Sequence, residues 1–404
     1  MSEFLMERSF DTDKMSLCFN EIIDELNLDV MYSETGLSVG KDVYITSECV
    51  INDGSVSESG YGKGLMLQGQ LSGKWEALEH YLLHTCREQR KCSIKDIKAL
   101  VDKKKLLPDR DLVRAIKKFN ITGAFECIDF TNLKDGMIKY IPIDFINPFL
   151  SCEKLYAIPI TNSGTSMGCT YKDALLHSIN ELIERQLESI FYLSVVLPEK
   201  TNKKLIIANN AISEKSKFLV DMIEKRHNTK VTILYLGSYC NVYVFLAFGS
   251  ADFCVMPQTG YGASLSPEYA VSRALTELLQ AFDLYDDERK DDDIQILKKC
   301  ESRPGMLKVF NLNLLGVDRI SLERLPNDNM LNNSPEEQVQ LITSNLLNDN
   351  KNIYVSTIWK SKVNSSCCVR VIIPEFEKLE MLRSGVLVIP SEYGRHVYKE
   401  ACLK

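Results

Sequence analysis

The chain is 404 residues long and carries 48 Lys and Arg residues against 55 Asp and Glu residues, a net charge of −7. This length can bury a large core, and 45% hydrophobic with 25% charged residues is an ordinary globular composition. The acidic balance argues against a general nucleic-acid-binding protein, because neutralising phosphates needs a basic surface. The apolar stretch at 190–197 is far shorter than the ~20 residues of a membrane span, so we expect no membrane-spanning segment.

The first 34 residues predict an N-terminal helical extension, followed by one main domain over 35–404. Residues 15–28 have the apolar spacing of an amphipathic helix that covers an edge of the domain or meets a partner. The start of the chain carries acidic residues and no apolar signal-peptide core, so we expect a cytoplasmic protein. The 13 cysteines include no CxxC pair and are expected to be reduced thiols.

From residue 40 onward, a pattern of strand, glycine-rich turn and helix occurs three times. The glycine-rich segments are 60–64, 164–170 and 259–264, and each lies between a strand-like run and a helix-like run. The helical parts of the three units are separated by 105 and 96 residues. This spacing is too long for a solenoid and favours related α+β units packed around one centre.

Each of the three predicted helices carries polar residues at positions i, i+4 and i+7 within an otherwise apolar sequence. Such positions lie along one helix face, with neighbouring β-carbons roughly 5–6 Å apart. Carboxylates within apolar helices are costly unless cations or hydrogen bonds compensate them. We call these trios the polar stripes: Ser72, Glu76 and Glu79; His177, Glu181 and Glu184; Arg273, Glu277 and Gln280.

A single stripe is more often a solvated face, but three copies flanked by bulky apolar residues favour a functional site. Mg²⁺ takes oxygen ligands and often shares them with substrate phosphates. The predicted magnesium ligands are the five stripe glutamates: Glu76, Glu79, Glu181, Glu184 and Glu277. Arg273 and Lys63 are candidate phosphate ligands. Arg185 either orients the neighbouring Glu184, binds phosphate or forms a plain salt bridge.

Other catalytic patterns receive little support. No GxxxxGK[ST] sequence is present, which excludes a P-loop, and the GYGKG sequence at 60–64 is equally well explained as a flexible turn. His80 and His84 have the spacing of a zinc pair, but no third ligand follows, so ordinary core or surface histidines are favoured. Neither a GxSxG motif nor a Cys–His pairing supports nucleophilic catalysis.

Three further segments complete the chain. Residues 94–118 predict a basic helical stretch, most simply a solvated face and otherwise a docking surface for an acidic partner. Residues 283–295 predict a charged surface loop or helix end. After residue 350, the NIYVSTIW and CCVRVIIPEF runs predict strands of a closing sheet.

The stripes resemble the signatures of the YcaO family of ATP-dependent peptide-backbone-modifying enzymes. Those signatures have the form SxxxExxE, a second SxxxExxE-like run and RxxxExxQ, and all three occur here in order. The GKG sequence, the glycines of 164–170 and the VRVIIPEFE run are also similar, so the resemblance covers about residues 40–380. It implies a YcaO-like α+β fold, in which three strand–Gly-turn–helix units converge on a nucleotide site and antiparallel sheets back them.

The resemblance also implies an ATP site in which Mg²⁺ lies between carboxylates and phosphates. On this basis Glu181, Glu184 and Glu277 are assigned to catalysis, and the same five glutamates as above bind the metal. The residues assigned to nucleotide binding come from the stripes and their neighbours: Lys63, Ser72, Glu76, Glu79, His177, Arg185, Arg273 and Gln280.

The implied reaction is cyclodehydration of a ribosomally made precursor peptide. A Cys, Ser or Thr side chain adds to the preceding amide carbon, ATP phosphorylates the resulting oxygen, and loss of phosphate leaves a thiazoline or oxazoline ring. The alternatives are YcaO-type thioamide formation with a sulfur donor, macrocyclic amidine formation, and a non-catalytic YcaO-like scaffold. The expected partners are the precursor peptide and a separate leader-binding protein similar to ubiquitin-activating enzymes. A flavin dehydrogenase and a homodimer are compatible with the resemblance.

Two features depart from the family pattern. His177 stands where the family more often has Ser or Asn. Azoline-forming members often end in a proline-rich tail whose carboxylate enters the active site, whereas this sequence ends KEACLK. We therefore expect either a catalytic base elsewhere in the chain or one of the sibling reactions.

Overall fold

The computed structural model describes residues 7–39, 42–86, 92–148, 160–196, 205–207, 212–312, 318–322, 325 and 333–396. The helices are α1 (Thr12–Leu26), α2 (Met66–His84), α3 (Ile97–Asp102), α4 (Arg110–Phe119), α5 (Tyr171–Val196), α6 (Glu214–His227), α7 (Pro267–Asp283), α8 (Asp287–Cys300), α9 (Pro304–Leu307) and α10 (Pro335–Asn348). Short 3₁₀ turns cover Ile143–Phe145 and Leu379–Ser384. The strands are β1 (Asp29–Val39), β2 (Asp42–Asn52), β3 (Ser57–Leu65), β4 (Ser93–Asp96), β5 (Ala124–Asn132), β6 (Ile138–Pro142), β7 (Thr165–Gly168), β8 (Leu205–Ile207), β9 (Thr232–Tyr239), β10 (Val242–Gly249), β11 (Gln258–Ser264), β12 (Asp318–Ile320), β13 (Tyr354–Lys360) and β14 (Cys367–Ile372).

Three sheets support the three striped helices. The first has the order β1-β2-β3 and carries α2; the second has the order β11-β10-β9-β8-β12 and carries α7. The third has the order β4-β5-β13-β14-β7, with β6 paired to β5, and its β7 and β14 pack against α5. Among the strands in the described ranges, every pair is antiparallel except β8 with β12. The arrangement is the predicted α+β architecture of helices backed by antiparallel sheets.

Two of the three glycine-rich segments lie in strands rather than in turns, which corrects one detail of the prediction. Residues 60–64 belong to β3, and residues 259–264 belong to β11. A Cβ atom added at Gly60 would lie 2.6 Å from the main-chain carbon of Glu76, and one at Gly260 would lie 2.8 Å from that of Glu277. Only glycine permits so close an approach of strand and helix main chains.

Helix α1 confirms the predicted N-terminal helix. Its buried Met15, Phe19 and Ile22 belong to the same hydrophobic cluster as Trp75 and Leu78 of α2. The helix therefore packs into the core beside the first striped helix. The proposed boundary at residue 34 falls within β1, which pairs with β2 along its length, and the division into two domains stays a prediction.

The remaining segments agree with the predictions in part. Residues 94–118 contain α3 and α4, but they begin within β4, which the helical interpretation missed. Residues 283–295 run from the end of α7 into α8, and strands β13 and β14 confirm the closing sheet. Among the described residues, none of the helices has the length and apolar character that crossing a bilayer requires.

Candidate functional site

Helices α2, α5 and α7 direct their polar stripes into one shared cavity of about 360 Å³. The lining includes every residue that the sequence assigned to the site: Lys63, Ser72, Glu76, Glu79, His177, Glu181, Glu184, Arg185, Arg273, Glu277 and Gln280. Stretches of chain separated by about a hundred residues therefore contribute to one site, as the repeated stripes predicted. The individual roles of these side chains stay predictions.

Main-chain N–H groups orient the glutamates. The Oε2 atom of Glu76 accepts a hydrogen bond from the N–H of Tyr61 in β3 at 3.3 Å, and Glu277 accepts one from the N–H of Tyr261 in β11. Each tyrosine stands between the two glycines of a Gly-Tyr-Gly sequence. The first and third units thus hold equivalent carboxylates with the same strand–helix geometry.

The second unit holds its own carboxylate and one from the first unit. Glu181 accepts a hydrogen bond from the N–H of Gly164 at 3.0 Å, and Glu79 accepts one from the N–H of Met167 in β7 at 3.3 Å. Such charge-assisted bonds fix the direction of a carboxylate. Thr170 caps the start of α5 by accepting from the N–H of Asp173 at 3.1 Å, which sets where the second stripe begins.

Three cations of the site, Lys63, Arg185 and Arg273, lie within 4 Å of carboxylates. Lys63 forms an ion pair with Glu277. Arg185 places its Nη1 atom 2.9 Å from Oε2 of Glu188 and 3.9 Å from Oε1 of Glu184. Arg185 therefore forms salt bridges, with Glu188 as the nearer partner, and its role in the site stays a prediction.

The electrostatic environment differs among the glutamates. Burial raises the pKa of Glu79 well above its usual value, and the nearby charges of Glu181 and Glu76 raise it further. Burial also raises the pKa of Glu184 to about 7, although Arg185 opposes the shift. Uncompensated carboxylates of this kind are stabilised by an entering cation.

Glu277 and His177 behave differently from these two glutamates. Burial opposes ionisation of Glu277, but Lys63 and Arg185 outweigh it and hold the pKa of Glu277 below the usual value. Burial lowers the pKa of His177 well below its usual value, and the positive charges of Arg8 and Arg273 act in the same direction. His177 is therefore a neutral hydrogen-bonding group at physiological pH, as the Ser or Asn of other family patterns would be.

A buried arginine, Arg370, acts electrostatically on two of the glutamates. Arg370 of β14 is 4% exposed, and its Nη1 and Nη2 atoms donate to Thr165 Oγ1 and Thr161 O, both at 2.6 Å. Burial lowers the pKa of Arg370 to about 10, while the charges of Glu181 and Glu79 act to raise it. Arg370 thus partly neutralises these two glutamates. Its place in the VRVIIPEFE run was the only signal for it in the sequence.

Several other lining residues were not predicted from the sequence. They include Glu7, Arg8, Gln68, Asn162, Tyr269 and Thr276. His80 also lines the cavity, where its Nδ1 lies 2.7 Å from the carbonyl oxygen of Ser59, while His84 Nδ1 lies 2.7 Å from Glu58. These contacts agree with the interpretation of both histidines as ordinary structural residues.

The donor types match those a magnesium nucleotide requires, although among the described residues no three His, Cys, Asp or Glu side chains are grouped closely enough to hold a metal ion by themselves. Five carboxylates supply the hard oxygen ligands that Mg²⁺ prefers, and burial raises the pKa values of three of them, Glu76, Glu79 and Glu184. Among the described residues, the buried Arg273 Nε and Gln280 Nε2 atoms have no hydrogen-bond partner. Buried donors are rarely left unpaired in folded proteins, so both are available to anionic oxygen atoms.

A family model described as YcaO cyclodehydratase, ATP- and Mg²⁺-binding, matches residues 61–377, which is most of the chain. The chain belongs to the YcaO family. The family predicted from the three stripes is therefore confirmed, and so are ATP and Mg²⁺ as its cofactors. Membership also supports enzymatic activity of the cyclodehydratase type. No curated protein matches this YcaO chain.

Solved structures confirm the predicted fold. The YcaO protein from Methanopyrus kandleri, bound with AMPPCP and Mg²⁺, is 17% identical with a TM-score of 0.69, over 96% of this chain and 98% of that one. A heterocyclase in complex with substrate and cofactor is 17% identical with a TM-score of 0.67, over 93% and 54%. The E. coli microcin synthetase McbBCD complex with pro-MccB17 bound is 16% identical with a TM-score of 0.57, over 85% and 88%.

Proposed function

We propose that this chain is the azoline-forming cyclodehydratase component of a peptide-modifying system. It would convert Cys, Ser or Thr residues of a ribosomally made precursor peptide into thiazoline or oxazoline rings. The observation that carries the proposal is the complete set of five stripe glutamates around one cavity, in a chain of the YcaO family. A non-catalytic scaffold would have no need to keep five costly carboxylates together.

The five glutamates, Glu76, Glu79, Glu181, Glu184 and Glu277, would hold the magnesium. Glu79 and Glu184 would lose their protons on binding a cation, because burial raises their pKa values more than the neighbouring arginines lower them. Glu277 is already ionised by its pairing with Lys63. The catalytic role assigned to Glu181, Glu184 and Glu277 is to align the phosphates through the metal.

The nucleotide phosphates would lie against Lys63 and Arg273, with Ser72, His177 and Gln280 donating hydrogen bonds from their own stripes. Arg185 would keep Glu184 in place, since it bridges that side chain to Glu188. ATP supplies the phosphoryl group that turns an amide oxygen, a poor leaving group, into a good one. The chain's part in this chemistry is to position charge before the reaction begins.

The proposal includes protein partners. The heterocyclase neighbour carries substrate, and the microcin synthetase neighbour is a complex with its pro-peptide. By analogy, this chain would act on a precursor peptide with a separate leader-binding protein similar to ubiquitin-activating enzymes. A flavin dehydrogenase that oxidises the rings, a homodimer and a cytoplasmic location stay predictions.

The proposal can be tested by incubating the chain with its leader-binding protein, a precursor peptide, ATP and Mg²⁺. We expect the peptide to lose the mass of one water per ring, and ¹⁸O placed in the peptide amide to appear in phosphate. The variant Glu277→Gln should abolish both signals, whereas Glu301→Gln, at an exposed glutamate of the α8 C-cap, should keep both. Replacement of oxygen by sulfur in the presence of sulfide would instead identify thioamide formation. Absence of any ATP turnover would favour the scaffold.

A further inference from the structure

Helices α3 and α4 and the loop between them form a strongly basic part of an acidic protein. Residues 97–119 carry eight Lys and Arg residues against three Asp residues, whereas the whole chain has a net charge of −7. The rest of the chain therefore has a net charge of −12. None of residues 97–119, all of which the structure describes, lines the nucleotide cavity.

The positive charges of this segment are exposed, and most of its negative charges are not. Asp109 and Asp111 are buried, and their carboxylates lie 2.9 and 3.3 Å from the Nζ atom of Lys378. Seven of the eight cations are exposed, at positions 98, 103–105, 114, 117 and 118. Within the described part of the chain, none of these seven lies within 4 Å of a carboxylate. We call the seven residues the basic surface.

The basic surface is continuous because α3 and α4 lie side by side. The N–H of Ile97, at the start of α3, donates to the carbonyl oxygen of Gly123, just after α4, at 3.0 Å. Ile97 and Leu112 of α4 are buried in the same hydrophobic cluster, which leaves the polar faces of both helices exposed. Lys98 in the first turn of α3 thus lies near the basic last turn of α4.

The basic surface is preformed and partly apolar. Asp109 caps α4 by accepting hydrogen bonds from the N–H groups of Asp111 and Leu112, both at 3.0 Å. Within the same segment, Val101 and Phe119 are 43% and 47% exposed. A preformed face that combines cations with apolar side chains loses little conformational entropy when a partner binds.

The distribution of charge favours a short acidic polypeptide as the partner. A nucleic acid or an anionic bilayer extends beyond the basic surface and meets the acidic remainder of the chain, which repels it. A short acidic segment contacts the basic surface alone, and its apolar side chains can pack against Val101 and Phe119. Complementary charge of this kind gives specificity and speeds association.

The basic surface adjoins the nucleotide site. Asp109, which caps α4, lines a second cavity together with Lys378 and Arg185. Arg185 also lines the nucleotide cavity. A peptide bound along α4 is therefore held close to the proposed site of reaction.

We propose that the basic surface binds an acidic segment of the peptide substrate. The inference rests on the proposed function, because it takes the bound polypeptide to be the precursor peptide. It assigns to α3 and α4 a role in holding the substrate that is separate from the role of the leader-binding protein.

The test measures binding of a fluorescein-labelled synthetic peptide of Glu, Asp and Leu by fluorescence anisotropy. We expect wild type to bind this peptide at low salt and to release it as the salt concentration rises. Lys117→Glu combined with Lys118→Glu should weaken binding about tenfold, because two attractions become repulsions. The same peptide with Gln and Asn in place of its acids should not bind.

The matched control is Lys298→Glu combined with Lys299→Glu. It reverses the same two charges in the exposed last turn of another helix, α8, and should bind the acidic peptide like wild type. The assay contains neither ATP nor the leader-binding protein. A failure of ring formation, which would reject the proposed function, therefore leaves this binding result unchanged.

Three results would overturn the inference. Absence of binding by wild type, or equal weakening by the two double variants, would reject the basic surface as a peptide-binding site. Tighter binding of a single-stranded RNA of equal charge would identify a nucleic-acid surface, and tighter binding of phosphatidylserine vesicles would identify a membrane surface. If Lys117→Glu with Lys118→Glu lowered the unfolding midpoint, Lys117→Gln with Lys118→Gln would decide: weakened binding supports the inference, and wild-type affinity rejects it.

Discussion

The close approach of β3 and α2 makes Gly60→Ala the most informative single change. The added Cβ would lie 2.0 Å from the main-chain nitrogen of Ala77 and 2.6 Å from the main-chain carbon of Glu76. Because unbonded heavy atoms prefer separations of about 3.5–4.0 Å, strand and helix must move apart by roughly 1.5 Å. Overpacking of this kind costs about 1–3 kcal/mol of the free energy of unfolding.

The same movement displaces Glu76 from the cavity. A shift of about 1 Å in a reacting group lowers turnover on the order of a hundredfold, so ATP turnover should fall far more than the small loss of stability explains. Urea unfolding of the nucleotide-free protein measures the first effect, and phosphate release with partner and peptide measures the second.

The matched control is Gly36→Ala in β1 of the same sheet. A Cβ there would lie 3.6 Å from Val43, an ordinary contact, so this variant should be neutral or slightly stabilised. If Gly60→Ala and Gly36→Ala had the same unfolding midpoint and the same turnover, the close-approach reasoning would be refuted.

Three further predictions concern the charges of the site. In the presence of a chelator at pH 8, Glu79→Gln should raise the unfolding midpoint, because burial raises the pKa of the Glu79 carboxyl group. Glu277→Gln should lower the unfolding midpoint, because it leaves Lys63 without its ion-pair partner. The pKa of Glu184 rises from 4.5 to about 7, so its stabilising contribution is complete below pH 4.5 and is lost as the pH rises through 7. The metal-free protein should therefore be less stable at pH 8 than at pH 6. Calorimetry near pH 7, in two buffers of different ionisation enthalpy, should detect the release of protons when Mg²⁺ and AMPPCP bind. Arg370→Met should destabilise the protein by about 3 kcal/mol in urea unfolding, since it removes a buried cation from carboxylates that remain; an unchanged midpoint would contradict this role.

The site could be predicted because its information is local. Positions i, i+4 and i+7 define one helix face whatever the rest of the fold does, so the stripes were readable one helix at a time. We could predict that the three stripes share one site because they are repeated and because burying carboxylates costs free energy. The glycine-rich segments were harder, because a glycine needed for a turn and one needed for a close approach look alike in sequence.

The missed elements depend on contacts between distant parts of the chain. Glu7 meets Ser264 across 257 residues, and no periodicity near either residue indicates this pairing. Strand β4 has four residues and is defined by its pairing with β5, so helical spacing alone placed it within a basic helix. Arg370 was visible only as a charge in an apolar strand, without a sign of which carboxylates it faces.

The matching geometry of β3 with α2 and of β11 with α7 has a consequence for how a ligand is directed. Both pairs use the same Gly-Tyr-Gly approach, but the first helix bears Ser72 and Glu79 at the positions where the other bears Arg273 and Gln280. Near-symmetric backbones thus carry unlike charges: one helix has two carboxylates, and the other has one carboxylate with a guanidinium group. A ligand with different charges at its two ends therefore has one favourable orientation between these helices. The side chains alone determine this orientation, because the two main chains are nearly symmetric.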